Sequence, residues 1–252
     1  MAQWDSGQYL QFERERTQPA VDLAARLDGS PVAHVLDVGC GRGETVEFLE
    51  KKYGYKCSGI DLSMARVKEG KERNPKLNIK YGDGEFLDDF SSFSFDGVLM
   101  ECTLSLINLP DEALHEAYCV LKKGGRLFVS DLYIKDPDPG FMKALRIEAE
   151  RQSKKPHEEG ECNTDCADEH KKRTVNFRSS GRFLIEPLLA QLVEIGFKNV
   201  AWEDRSAELD SYVAQILMNE GTLENCLCDD EALHPKDQFK TGYFMLTAEK
   251  PL

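Results

Sequence analysis

The 252-residue sequence predicts an α/β fold: a doubly wound, mostly parallel sheet of seven strands with one antiparallel member and a cysteine-bearing insertion after strand five. Three observations predict it. Short apolar runs alternate with helix-period segments from Val32 to Leu132, the rhythm of a parallel sheet covered on both faces. A glycine-rich bend, Gly39-Cys40-Gly41-Arg42-Gly43, ends the first run and opens the first helix. Two further apolar runs follow a polar stretch late in the chain, which suits a strand pair that includes the antiparallel member.

Each element has its own signal. Val32 to Val38 reads as a buried strand, and Val46, Phe48 and Leu49 within Glu44 to Tyr53 share one helix face. Tyr55 to Ile60 is a second strand, closed by Asp61. Ser63 is the expected N-cap of a helix reaching Arg73, which Asn74-Pro75 stops. Leu77 to Tyr81 and Phe95 to Met100 give strands three and four. A helix over Asp111 to Leu121 is expected to end at Lys122-Lys123-Gly124-Gly125, a basic last turn followed by glycine. Arg126 to Leu132 is strand five. A turn at Asp136 to Gly140 and a helix to about Arg151 precede the polar insertion. Beyond it come a helix from Arg182 to Ile195 closed by Gly196, a strand from Phe197 to Trp202, a helix from Leu209 to Met218 and a last strand from Tyr243 to Ala248. The division is a lid or helix over 1–30, a core over 31–135, a cap over 136–180 and the rest of the same sheet over 181–252.

Composition narrows the function. A 41% hydrophobic, 31% charged chain is an ordinary globular protein, and no apolar run reaches bilayer length. Met1 to Glu13 lack the basic and apolar parts of an export signal, so a cytoplasmic location is expected. A net charge of −13 argues against nucleic acid, whose binders present a basic face. The run Lys171-Lys172-Arg173 reads as a solvated helix end or loop. The expected partner is a small molecule, neither nucleic acid nor membrane, and the sequence names no protein partner.

A strand that feeds a tight glycine turn and then a helix turns backbone N–H groups toward a ligand. Gly39 and Gly41 let that ligand approach the main chain, and Gly43 allows close packing at the helix start. The spacing is G-x-G-x-G, not the dinucleotide pattern. Asp61, ending strand two, can accept hydrogen bonds from both hydroxyls of a ribose, and Asp83, after strand three, can meet the amine of an adenine.

Leu36-Asp37-Val38-Gly39-Cys40-Gly41-Arg42-Gly43, Gly59-Ile60-Asp61-Leu62-Ser63, Gly82-Asp83-Gly84 and Val120-Leu121-Lys122-Lys123-Gly124-Gly125-Arg126-Leu127 together resemble the class I S-adenosylmethionine-dependent methyltransferases, which have a Rossmann-like fold. The resemblance is close over about residues 30 to 135. It implies S-adenosyl-L-methionine as cofactor, with Asp37, Gly39, Gly41 and Gly43 at its methionine part, Asp61 at the ribose, Asp83 at the adenine, and Leu62 and Gly84 as further cofactor contacts. Trp4, Tyr9, Phe12, Arg14 and Arg16 resemble the N-terminal lid of trans-aconitate-type methyltransferases, which puts Tyr9 and Arg14 beside the substrate; a plain packing helix is the alternative.

The loop after strand four reads Met100-Glu101-Cys102-Thr103-Leu104-Ser105-Leu106 and lacks the Asn/Asp-Pro-Pro-Tyr motif of amine and base methyltransferases. It resembles the arsenite methyltransferases, as do Ser130-Asp131-Leu132-Tyr133 and Gly160-Glu161-Cys162. That likeness implies Cys102 and Cys162 as soft ligands for a thiophilic acceptor such as arsenite, and Cys166, four residues after Cys162, has the spacing of a third. The family's N-terminal cysteine is missing, and the segment after Cys162 is polar. Glu101 and Cys102 are the candidate catalytic residues, Glu101 as proton acceptor or as cofactor contact. His115 is expected on the helix surface, and Cys40 as a small loop filler. Cys57 and Cys119 are expected as buried small hydrophobes, and eight cysteines in a cytoplasmic chain do not predict disulfides. Cys162, Cys166, His157 and His170 have zinc-like spacing without a C-x2-C pair, so no resident metal is expected; Cys226 and Cys228 read as exposed loop thiols. The resulting expectation is methyl transfer to a small, thiophilic acceptor. Alternatives are an O-methyltransferase for a carboxylate, with Arg14 or Arg16 as anion clamp, and a non-catalytic cofactor-binding subunit.

Overall fold

The computed structural model describes residues 33–140, 142–143, 178–179, 181–210 and 240–252. Along the first half, β1 (His34–Val38), α1 (Glu44–Tyr53), β2 (Lys56–Asp61), α2 (Met64–Arg73), β3 (Ile79–Tyr81) and β4 (Phe95–Glu101) alternate as the sequence pattern requires. A single 3-10 turn (Leu104–Leu106) leads to α3 (Pro110–Val120) and then to β5 (Leu121–Lys135). The second half contributes β6 (Arg178–Ser179), β7 (Arg182–Phe183), α4 (Ile185–Ile195), β8 (Lys198–Asp204) and β9 (Lys240–Glu249).

Strands β3-β2-β1-β4-β5 lie side by side and parallel. β9 runs antiparallel along the other edge of β5 and separates it from β8. This is the expected sheet with its antiparallel member, widened by the short β6 and β7. β5 has 15 residues against seven in β4, so it projects past the end of β4, and there Tyr133 pairs with Phe183 of β7.

Alternation along each strand builds two cores. Leu36, Val98, Val129 and Phe244 face α3 and α4, while Val35, Leu99 and Phe128 face α1 and α2. By the same period of two, Asp37 and Glu101 share the α1 side at the carboxyl ends of their strands. Helix α2 begins as expected, with Ser63 Oγ accepting from the Arg66 N–H at 3.4 Å.

Three local expectations change. Helix α3 stops at Val120, and Lys122 to Gly125 belong to β5, so its last turn carries no basic residue. Its final carbonyls are satisfied otherwise: Lys250 Nζ donates to Tyr118 O at 2.6 Å and Leu121 O at 2.9 Å, while the N–H groups of Phe93 and Ser94 reach Cys119 O and Val120 O. A sidechain cation therefore does the capping that a basic last turn was expected to do. Arg182 and Phe183 are extended rather than helical, because they pair with β6 and Phe183 also with β5; α4 begins at Ile185. Cys57 is buried as expected, but Cys119 lies on the exposed side of α3. The polar insertion, including Cys162 and Cys166, and most of the Leu209 to Met218 stretch lie outside the described residues.

Helix α1 is tied to α2 by Glu47, which accepts from Lys51 at 2.5 Å, from Asn74 Nδ2 at 2.9 Å and from Arg73. Burial pushes the Glu47 carboxyl up, but those three partners together outweigh it and hold it at about 2, below the usual 4.5 of a glutamate. A folded-state value below the unfolded one means that the stabilisation is complete above pH 4.5 and lost as pH falls toward 2. Glu47→Gln is expected to cost about 1 kcal/mol at neutral pH and to flatten the acid limb of a denaturant-melt series across that window.

Candidate functional site

The site grows from one bend. After β1 the chain turns through Gly39, Gly41 and Gly43, each at positive φ (80°, 54° and 77°), a region that residues with a Cβ enter at a cost. The Gly39 and Cys40 N–H groups donate to the single carbonyl of Ile60 at 2.8 and 2.9 Å, which ties the bend to β2. A Cβ on Gly39 would lie 2.0 Å from Thr103 Oγ1, and one on Gly43 3.0 Å from Ile79 Cγ2. Among the described residues, a Cβ on Gly41 would meet nothing within 4 Å. Two glycines are thus required by packing, and the third borders open space.

Asp61 is buried and spans the bend. Its Oδ2 accepts the Gly41 N–H at 2.8 Å and its Oδ1 the Ser63 N–H at 2.7 Å. These bonds fix the carboxylate while leaving a further lone pair on each oxygen. Leu62, 60% exposed, follows it. Asp83 accepts the Glu85 N–H at 3.0 Å, and Gly84 packs so closely that a Cβ would be 2.7 Å from Val38 Cγ1.

Asp37 is 3% exposed at the end of β1. Burial, and then the charges of Glu101, Asp61 and Glu44, push its carboxyl well above the usual range. Glu101 is oriented by the Thr45 hydroxyl, which donates to its Oε2 at 2.8 Å from α1. Beside it, Cys102 is exposed and sits at φ 47°, an uncommon conformation for a residue with a Cβ. Its N–H donates to Ser130 O at 2.7 Å, and its Sγ lies 4.0 Å from the Tyr243 hydroxyl, the outer limit of a sulfur hydrogen bond. Cys40 is buried, and burial with the nearby Asp37 and Asp61 charges pushes its thiol far up, which suits a loop filler and not a nucleophile.

Asp37, Gly39, Gly41, Gly43, Asp61, Leu62, Asp83, Gly84, Glu101 and Cys102 therefore gather at the carboxyl ends of β1 to β4, the edge where open α/β sheets bind ligands. Tyr9, Arg14, Cys162 and Cys166 lie outside the described residues. Among the described residues no group of three or more His, Cys, Asp or Glu side chains is arranged to hold a metal ion. No described helix is long and apolar enough to cross a membrane. Sequence reasoning passed over Thr45, Glu85, Asp131 and Tyr243. Glu85 accepts the Asn108 and Leu109 N–H groups at 2.9 and 3.0 Å, and Asp131 the Ser105 N–H at 2.8 Å, so two buried acids set the loop between β4 and α3. Their signal was only a pair of acids next to apolar runs.

Gly39→Ala is expected to destabilise the protein by about 3 kcal/mol or more, through collision and strain together. Gly41→Ala should cost about 1–2 kcal/mol from backbone strain alone. Equal melting shifts for the two would contradict the packing described.

Comparison with known proteins agrees with this geometry. Residues 36–129 match the family model described as a methyltransferase domain. The chain is 40% identical over 84 residues to a trans-aconitate 2-methyltransferase of Methylobacterium nodulans, covering 33% of each protein. It is 40% identical over 80 residues to that of Rhodopseudomonas palustris, covering 31% of each. The matched stretch thus spans about a third of the length of these curated relatives. Among solved structures, a geranyl diphosphate methyltransferase in complex with GPP and sinefungin superposes with a TM-score of 0.63 at 15% identity, over 92% of this chain and 76% of that one. The Haemonchus contortus phosphoethanolamine N-methyltransferase 2 in complex with S-adenosyl-L-methionine gives a TM-score of 0.60 at 15% identity, over 92% of this chain and 52% of that one. Bend, acid row and strand order agree with that match: residues 36–129 of this chain are similar to a methyltransferase domain and are built on a Rossmann-like sheet.

Proposed function

We propose that the chain binds S-adenosyl-L-methionine across the Gly39–Gly43 bend and transfers its methyl group to a small molecule held on the Cys102 side. The observation that carries this reading is the space that the described residues leave above Gly41, whose N–H group is fixed by Asp61. An extended ligand fits there: its amino-acid end over Asp37, Gly39, Gly41 and Gly43, its ribose on the spare lone pairs of Asp61, and its adenine against Leu62, Asp83 and Gly84. The charge fits as well. Asp37 is buried among Glu101, Asp61 and Glu44, an arrangement that repels itself until a cation arrives.

Bound there, the cofactor supplies an electrophilic methyl on a sulfonium. The protein's own contribution is positional. Thr45 holds the Glu101 carboxylate at the end of β4, where it can take a proton from an acceptor hydroxyl or thiol. Cys102 presents its thiol beside it and suits a thiophilic acceptor, arsenite being the simplest, with Cys162 and Cys166 as further soft ligands. The names of the trans-aconitate relatives support a second reading, a carboxylate acceptor gripped by Arg14 with Tyr9 beside it.

Calorimetry with S-adenosylhomocysteine tests the cofactor site. Wild type should take it up, and Asp61→Ala should weaken uptake by about tenfold or more, the worth of a charged hydrogen bond. Absence of uptake by the folded wild type, or full uptake by Asp61→Ala, rejects the proposal. Asp37→Asn should also weaken uptake, yet stabilise the ligand-free protein by about 1 kcal/mol at neutral pH. The sign follows from the raised Asp37 value: folding holds the proton, so ionisation as pH rises costs stability. Turnover of arsenite lost in Cys102→Ser supports the thiophilic acceptor; turnover of trans-aconitate indifferent to that change supports the carboxylate.

A further inference from the structure

The registers of five adjacent strands align a row of polar side chains on the α1 side of the sheet. Asp37 pairs with Gly59, two residues before Asp61, and with Leu99, two before Glu101. Glu101 pairs with Ser130, and Tyr243 sits opposite Leu132, two residues beyond Ser130. The row across β2, β1, β4, β5 and β9 is therefore Asp61, Asp37, Glu101, Ser130, Tyr243. Its first three members are carboxylates; its last two are hydroxyls, with the Cys102 thiol beside them.

The hydroxyl end has the marks of a ligand seat. Ser130 is 1% exposed, and among the described residues its buried Oγ has no partner in good hydrogen-bond geometry, the Tyr243 phenol being the polar group close enough to interact with it. A buried hydroxyl left unbonded is costly and asks for a partner. Burial, and then the neighbouring Cys102 and Glu101, push the Tyr243 phenol well up, so it stays protonated and can donate. Among the described residues, the carboxylate acting on it is that of Glu101. Arg182, the buried cation on the same face, donates to Thr241 Oγ1 at 2.9 Å, two residues farther along β9.

We propose that Cys102, Ser130 and Tyr243 form the acceptor seat, and that it takes an uncharged, hydrogen-bonding nucleophile and turns carboxylates away. This rests on the methyl-transfer reading above and adds the acceptor's charge class. Tyr243 and Ser130 hydrogen-bond the acceptor, Cys102 contacts it, and Glu101 repels an anion placed there.

Site-resolved alkylation of Cys102 tests the seat without requiring the acceptor's identity. The full-length protein is treated with neutral iodoacetamide or anionic iodoacetate, and the rate ratio at Cys102 is compared with that of free glutathione. The expected ratio favours iodoacetamide by about tenfold beyond the glutathione value, and Glu101→Gln collapses it. Tyr243→Phe, which keeps the ring, should change the Cys102 rate severalfold while S-adenosylhomocysteine affinity stays within about twofold. Equal or faster reaction with iodoacetate, no reaction at Cys102, or a rate untouched by Tyr243→Phe overturns the seat. Calorimetric loss of cofactor uptake by the wild type overturns the methyl-transfer reading instead, so the two failures are told apart.

Discussion

The carbonyl of Ile60 and the carboxylate of Asp61 hold the bend after β1, and the rest of the site depends on that grip. Two N–H groups converge on Ile60 O and a third on Asp61 Oδ2. The loop is thereby committed to a shape that only glycine tolerates at Gly39, where Thr103 of the next site loop fills the space a side chain would need. β1, β2 and the loop after β4 are consequently one unit. The neighbouring clamp through Arg73, which reaches both Glu47 and the Arg42 carbonyl, extends that unit to α1 and α2.

A cradle rigid before ligand arrives keeps the ordering cost of binding low. The crowding of Asp37 with Glu44, Asp61 and Glu101 works in the opposite sense, lowering the stability of the ligand-free state. Shape is thus settled in advance, while the carboxylates around Asp37 stay crowded. This division between a stiff backbone and a frustrated set of side chains is how a small site combines specificity with strong attraction.

The residues proposed to hold the cofactor were legible in the sequence because their pattern is local. Glycines at fixed spacing, an acid ending β2 and an acid after β3 are each read from a few contiguous residues. Of the proposed acceptor seat only Cys102 was legible, because the rest depends on register. Ser130 and Tyr243 are 113 positions apart only in sequence; the antiparallel pairing of β5 with β9 makes them diagonal neighbours, and no local pattern encodes that. The same reason explains the error at Arg182 and Phe183. Their helical spacing is real, but pairing with β6 and with the projecting end of β5 overrides it. Lys250 illustrates the matching case for caps: Lys122 and Lys123 were the obvious candidates by position, and a lysine 129 residues beyond Leu121 does the work.

The projecting end of β5 has a consequence for how this molecule can diversify. Among the described residues, the β6–β7 hairpin joins its parent sheet through one residue pair, Tyr133 with Phe183, on the stretch of β5 that β4 does not reach. Insertions or exchanges in that appendage leave the hydrogen-bond ladders of β1, β2 and β4 intact. The periphery of this sheet can therefore be remodelled without disturbing the strands that carry the glycine bend and its acid row.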